Sequence, residues 1–83
     1  MSYDKVKQAK RLVTGVKQTR KAIDRQLVSF VVLAEDADLI LTHPIQSLCE
    51  QKEIAYTYVA SMRELGKASG IQVGTAAVAI LKD

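Results

Sequence analysis

Eighty-three residues are enough for one domain, 1–83, near the lower end of what builds its own core. With 48% apolar and 25% charged residues, the composition excludes disordered and fibrous chains, and no apolar run is long enough to span a membrane. The net charge of +3 is unevenly spread: residues 1–25 hold eight of the twelve basic side chains and two acids, Asp4 and Asp24, while residues 26–83 hold four basic residues and seven acids.

In chain order, Ser2 is placed to cap a short helix with Val6 and Ala9 on its inner face. Leu12-Val13-Thr14 reads as a brief strand stopped by Gly15, and Val16 to Gln26 as a helix with Thr19, Ala22 and Ile23 on one side. The β-branched run Val28 to Ala34 predicts a strand buried on both faces. A loop over Glu35-Asp36-Ala37-Asp38 comes next, and then a helix from Pro44 to Lys52, with proline in its first turn. Ile54 to Val59 reads as a strand. Ser61 and Glu64 have the spacing of a capping box at the start of a fourth helix, with Gly66 inside it and Gly70 at its stop. Thr75 to Leu81 completes the set as a last strand. Strand and helix alternate, which predicts an α/β fold of the layered α/β/α type.

The helix after Gly15 carries the chemistry. At 3.6 residues per turn, Lys17, Lys21 and Arg25 form one stripe, with Arg20 on one flank and Gln18 on the other. The opposite arc, Thr19, Ala22 and Ile23, faces the sheet. Gly15 lets a ligand approach the backbone closely, and the free N–H groups of the first turn favour a phosphate or an electron-rich base edge. A lysine in a first turn works against the helix dipole, so Lys17 is explained by an anionic ligand rather than by helix stability. An ordinary solvated face is the alternative that this pattern alone leaves open.

Four segments resemble, in order, the motifs of the kink-turn-binding ribosomal proteins named after the "L seven Ae" protein of the archaeal large subunit. Gly15-Val16-Lys17-Gln18-Thr19-Arg20-Lys21-Ala22 is similar to the family's Gly-x-Asn-Glu-x-x-Lys-Ala helix entry, and Ala34-Glu35-Asp36 to its Ala-Glu-Asp loop. Leu48-Cys49-Glu50-Gln51-Lys52 is similar to Leu-Cys-Glu-x-Lys. Gly66 to Val73 resembles the segment that ends in Gly-Leu-Glu-Val. The short chain and its Lys-Gln pair look most like bacterial members. The resemblance implies a three-layer α/β/α sandwich around a mixed four-stranded sheet. It also implies a non-catalytic protein that stabilises kink-turns, whose tandem sheared G·A pairs beside a bulge bend the duplex sharply.

Carried over by position, base reading falls on Lys17, Gln18 and Lys21, supported by Gly15, Val16, Arg20 and Arg25. The apolar loop that covers the extruded bulge nucleotides falls on Ile71, Gln72 and Val73, and Asp38 is a contact candidate as well as a turn residue. Lys17-Gln18 departs from the family's Asn-Glu. A carboxylate accepts two N–H donors from a guanine edge, whereas the Gln18 amide offers one acceptor and a donor pair. That exchange predicts less rigid base reading and more phosphate attraction. The implied partner is an RNA containing a kink-turn, in ribosomal RNA or a riboswitch. The competing readings are a general RNA binder without kink-turn selectivity and a basic subunit that docks an acidic protein.

Elsewhere the pattern speaks for structure. Cys49 lies with Ile45 and Leu48 at core spacing, so it reads as a buried thiol, with neither a disulfide partner nor a cysteine pair for a metal. His43 stands alone. The acids Glu35, Asp36 and Asp38 lack the glycine and spacing of a calcium loop, and Gly66-Lys67 lacks the rest of a phosphate loop. No nucleophile–base pair or cofactor motif marks an enzyme. The N-terminal residues lack the apolar stretch of a signal peptide, so the chain reads as a cytoplasmic monomer free of membranes.

Overall fold

The computed structural model describes residues 2–83. The elements run α1 (Ser2–Gln8), β1 (Leu12–Thr14), α2 (Val16–Asp24), β2 (Val28–Ala34), α3 (Leu39–Gln51), β3 (Ala55–Val59), α4 (Met62–Ala68) and β4 (Ala77–Leu81). The side chain of Ser2, expected to cap α1, lies outside the described residues. The four strands form one mixed sheet in the order β1-β4-β2-β3, with β4 antiparallel to both neighbours and β2 parallel to β3.

Alternation along the central strands divides the core in two. Val31 and Leu33 of β2, with Ala77 and Ala79 of β4, pack beneath Ala22 and Ile23 of α2 and Ile45 and Cys49 of α3. Val32 and Ala34, with Ala76 and Val78, face Val6 of α1 and Leu65 of α4. Helices thus cover both faces, and the expected α/β/α sandwich is observed. Ile23, Leu33, Ile45 and Leu65 are fully buried, each burial contributing about 1.5–3 kcal/mol.

Three boundaries differ from the sequence reading by two residues or more. The largest difference is in α3, which starts at Leu39 instead of Pro44, because the Asp38 side chain accepts the Ile40 N–H at 3.0 Å and caps the helix well ahead of the proline. Pro44 consequently sits inside the helix. Its missing N–H deprives the Ile40 carbonyl of a donor, on a turn where Ile40 is 79% exposed. α2 stops at Asp24 because Gln26 adopts a left-handed φ of 60°. β4 begins two residues later than expected, since the Thr75 N–H bonds to the Met62 carbonyl (3.1 Å) rather than joining the ladder.

Candidate nucleic-acid interface

β1 and β2 both run toward one end of the sheet, so α2 and α3 start there and run back. Hydrogen bonds fix that end. The Gly15 N–H donates to the Ala77 carbonyl (2.8 Å), the Ala34 N–H to the Ala76 carbonyl (3.0 Å), and the Glu35 N–H to the Val59 carbonyl (2.7 Å). The entry to α2, the β2–α3 loop, the start of α4 and the segment 71–76 feeding β4 are gathered around one rim.

The helix N-termini on this rim are finished differently. α3 is capped by Asp38. α4 is served twice: Ser61 accepts from the Glu64 N–H (3.2 Å), one half of the expected capping box, and Asp36 Oδ1 accepts from the Met62 N–H (2.8 Å); the Ser61 N–H that would complete the box donates to the Tyr3 hydroxyl (3.3 Å) instead. α2 begins at Gly15 with φ 98°, a conformation that glycine adopts without strain, and has no side-chain cap among the described residues. Its first N–H groups therefore remain available at the positive end of the helix dipole.

The expected faces of α2 are observed. Thr19, Ala22 and Ile23 are buried, Val16 is half-buried, and Lys17, Gln18, Arg20, Lys21 and Arg25 are exposed. Gln18, Lys21 and Arg25 lean over a shallow groove floored by Val13, Leu27 and Leu81, whereas Lys17 and Arg20 do not line it. Gln18 is folded back: a Cβ added to Gly15 would lie 2.9 Å from Gln18 Oε1. Arg25, the C-cap, lies roughly 12 Å down the axis from Lys17, at 1.5 Å per residue. It belongs to the same face but not to the rim.

The second expected element, Ile71 to Val73, reaches the same rim by a different device. Ile71 is half-buried, Gln72 exposed and Val73 70% exposed. Their backbone is held against α4: the Ile71 N–H bonds to the Gly66 carbonyl (3.1 Å), and Gly66 leaves no room for a Cβ, which would collide with the Val73 carbonyl oxygen. Gly66 is therefore a contact requirement rather than a weak point of the helix. Gly74 is less confined: its Cβ would stand 3.2 Å from Met62 backbone atoms, a tight contact rather than a collision. An apolar side chain is presented to solvent on a clamped backbone.

Asp38 reaches the rim, but its carboxylate is engaged in capping α3. Sequence reasoning missed the three residues after it: Leu39 (66%), Ile40 (79%) and Leu41 (44%) are exposed side by side in the first turn of α3. With Pro44 as the helix start these residues fall in a loop, and the Asp38 cap is the signal that places them on the helix.

The remaining polar groups serve the fold. Burial, with the Glu50 charge as a smaller cause, pushes the Cys49 thiol up to about 11, so it stays protonated and unreactive. Tyr56 donates to Glu50 Oε2 (2.6 Å) and Tyr58 to Gln46 Oε1 (2.7 Å), tying α3 to the edge strand β3. The two tyrosine rings meet edge to face at 6.5 Å. Among the described residues no group of His, Cys, Asp and Glu side chains gathers as a metal site, and no helix is long and apolar enough to cross a membrane.

Residues 2–83 match the family described as "Ribosomal protein L7Ae/L30e/S12e/Gadd45 family". A protein named "RNA-binding protein" from Bacillus pumilus is 51% identical over 81 residues, covering 98% of this chain and 99% of that one. Another RNA-binding protein, from Halalkalibacterium halodurans, is 48% identical over 82 residues, covering 99% of this chain and all of its own length. Among solved structures, the Giardia lamblia 15.5kD RNA binding protein superposes with a TM-score of 0.89 at 27% identity, over 99% of this chain and 72% of that one.

Proposed function

We propose that this chain, which belongs to the ribosomal protein L7Ae/L30e/S12e/Gadd45 family, is a non-catalytic RNA-binding protein that recognises and stabilises kink-turn motifs. Its target is structured RNA such as ribosomal RNA or a riboswitch, and it acts as a cytoplasmic monomer. The names of its relatives support RNA as the ligand class. The observation that carries the reading is the shared rim: an uncapped, cation-lined helix start at Gly15 and a clamped loop that exposes Val73, both at one end of the sheet.

Regular A-form RNA hides its base edges in a deep, narrow groove, so a protein that reads bases seeks a distorted step. Sheared G·A pairs expose guanine edges to the first turn of α2. Lys17 and Gln18 meet them there and Lys21 one turn further along the same face, while Arg20 and Arg25 contact phosphates and the N–H groups after Gly15 attract an anionic or electron-rich atom. Good base-edge contacts discriminate by about 1–3 kcal/mol each. Ile71 and Val73 cover bases splayed out by the bulge. An aliphatic platform contributes near the lower end of the about 1–3 kcal/mol per base known for aromatic stacking. The mechanism is a population shift: free RNA samples extended and kinked forms, and the protein binds the kinked one.

Titration of a kink-turn RNA and of a variant with its G·A pairs replaced by Watson–Crick pairs tests the reading. Preferential binding of the first, reduced by Ile71→Asp, is the expected result. Equal, salt-sensitive binding of both would instead establish a general RNA binder. That second reading is favoured by one feature: the acceptor oxygen of the Gln18 amide lies against Gly15.

A further inference from the structure

We infer that the face of the sheet opposite α2, built on α1 and the turn after it, is a second RNA-binding surface, so that the protein bridges two RNA segments. The charge distribution carries this. Residues 17–25 hold four cations and one acid; residues 2–11 also hold four cations, Lys5, Lys7, Lys10 and Arg11, and one acid. The helices that carry them lie on opposite sides of the sheet, because α2 packs on the core shared with α3 and α1 on the core shared with α4; Lys10 and Arg11 follow α1 in the turn that leads into β1, at the end of the sheet away from the rim. Half of the chain's concentrated positive charge thus lies away from the rim described above.

All four cations of this second set are exposed. Helix-dipole pairing accounts for Lys5 and Lys7 in the last turn of α1, but Lys10 and Arg11 lie beyond the helix. Cations from distant parts of the chain join them: Lys67 lines a groove of about 280 Å³ with Lys7 and Glu64, and Lys82 a groove of about 420 Å³ with Lys10 and Asp83, so each groove holds two cations to one acid.

The chemistry of the patch selects its partner. Among the described residues the exposed large apolar side chains are Leu27, Leu39, Ile40, Leu41 and Val73, none of them on α1 or the turn after it. A protein interface needs an apolar core and a membrane-surface helix an apolar face. The backbone of an RNA duplex needs only cations spaced along phosphates, and it is bound without regard to sequence. The class of ligand rests on the RNA reading, whereas kink-turn selectivity is not required.

The experiment saturates the chain with an unlabelled kink-turn RNA and then titrates in a short, fluorescently labelled, kink-free RNA duplex, read by anisotropy and native mass spectrometry. The expected result is a complex of one chain, one kink-turn RNA and one duplex. Lys7→Glu/Lys10→Glu/Arg11→Glu should weaken duplex binding at least tenfold and flatten its salt dependence, while binding the kink-turn RNA as the unmodified chain does. Lys5 is left in place because its ammonium sits 4.7 Å from the centroid of the Phe30 ring. Lys67→Glu/Lys82→Glu, on separate elements, should give part of the same loss, and melting curves verify that each variant folds. Absence of the three-component complex, or duplex binding unchanged in the triple variant, would overturn the second surface. Preference for polyglutamate over the duplex would do so too, in favour of an acidic protein. A failure of kink-turn selectivity reads out separately: the duplex alone then loads at two per chain, and the triple variant loses one of them.

Discussion

α2 and α3 start at the same rim, pack on the same face of the sheet and run back in the same direction, yet the chain finishes them in opposite ways. α3 is closed off by the Asp38 carboxylate, and its flank is tied to β3 through Gln46, Glu50, Tyr56 and Tyr58. α2 has a glycine in place of a cap, a lysine in a first turn where the dipole disfavours it, and an outer face that presents only cations, one amide and Asp24. In α3 the polar groups hold the fold together. In α2 the helix gives up local stability and leaves its first-turn donors and its charges facing water.

The comparison can be broken by exchanging what each helix is asked to do. The largest effect is expected from Lys17→Glu/Lys21→Glu, which should weaken RNA binding by about a hundredfold while leaving the melting temperature nearly unchanged, since both side chains face water. Lys21→Ala alone should cost severalfold. Filter binding beside a melting curve checks both, and a collapse in stability would mean that the faces of α2 are misassigned. Next comes Gly66→Ala. Its new methyl collides with the Val73 carbonyl, so we expect a loss of about 2 kcal/mol in chemical denaturation, together with weaker kink-turn binding as the loop is pushed away.

Asp38→Ala should destabilise the fold by about 1 kcal/mol through the lost cap and leave RNA affinity within about twofold of its original value. A larger loss of binding than of stability would promote Asp38 from helix cap to RNA contact. Thr19→Val sharpens the inner side of the comparison. The Thr19 hydroxyl is fully buried with no hydrogen-bond partner among the described residues, so an isosteric apolar side chain should raise stability by a few tenths to about 1 kcal/mol.

The smallest effect belongs to pH. The hydrogen bonds from Tyr56 and then Gln46 hold the Glu50 carboxyl below its usual value of 4.5. Its contribution is therefore present above that value and disappears as pH falls through the lowered one. The same bond raises the Tyr56 phenol above its usual 10, so its contribution is present below 10 and lost as pH rises through the raised value. Melting temperatures of Glu50→Gln should show a shallower decline on the acid side than those of the unmodified chain.

Much of this is legible along the chain, and the exceptions are instructive. The inner and outer faces of α2 come from a 3.6-residue period, because the helix lies on a sheet and only one arc can be buried. Cys49 comes from its spacing with Ile45 and Leu48. The start of α3 does not, because proline weighs as a helix-starting residue, while Asp38, directly before the helix, reads as loop chemistry until its bond to the Ile40 N–H is seen. Gly66 likewise reads through intrinsic propensity as a weak point, when its reason is the backbone of Val73 lying against it.

Periodicity, capping residues and charge order alone determined which segments would be helix or strand, that they would form layers, and that one helix would present cations. Those are local properties, set within a few residues of one another. Only the tertiary structure decided that segments 15–21 and 71–73, far apart along the chain, share one rim, through the bond from Gly15 to Ala77 and the clamp of Gly66 on Val73. It also decided that the two basic helices, α1 and α2, stand on opposite sides of the sheet, because strand order and the direction of each crossover are long-range properties that no window of sequence contains.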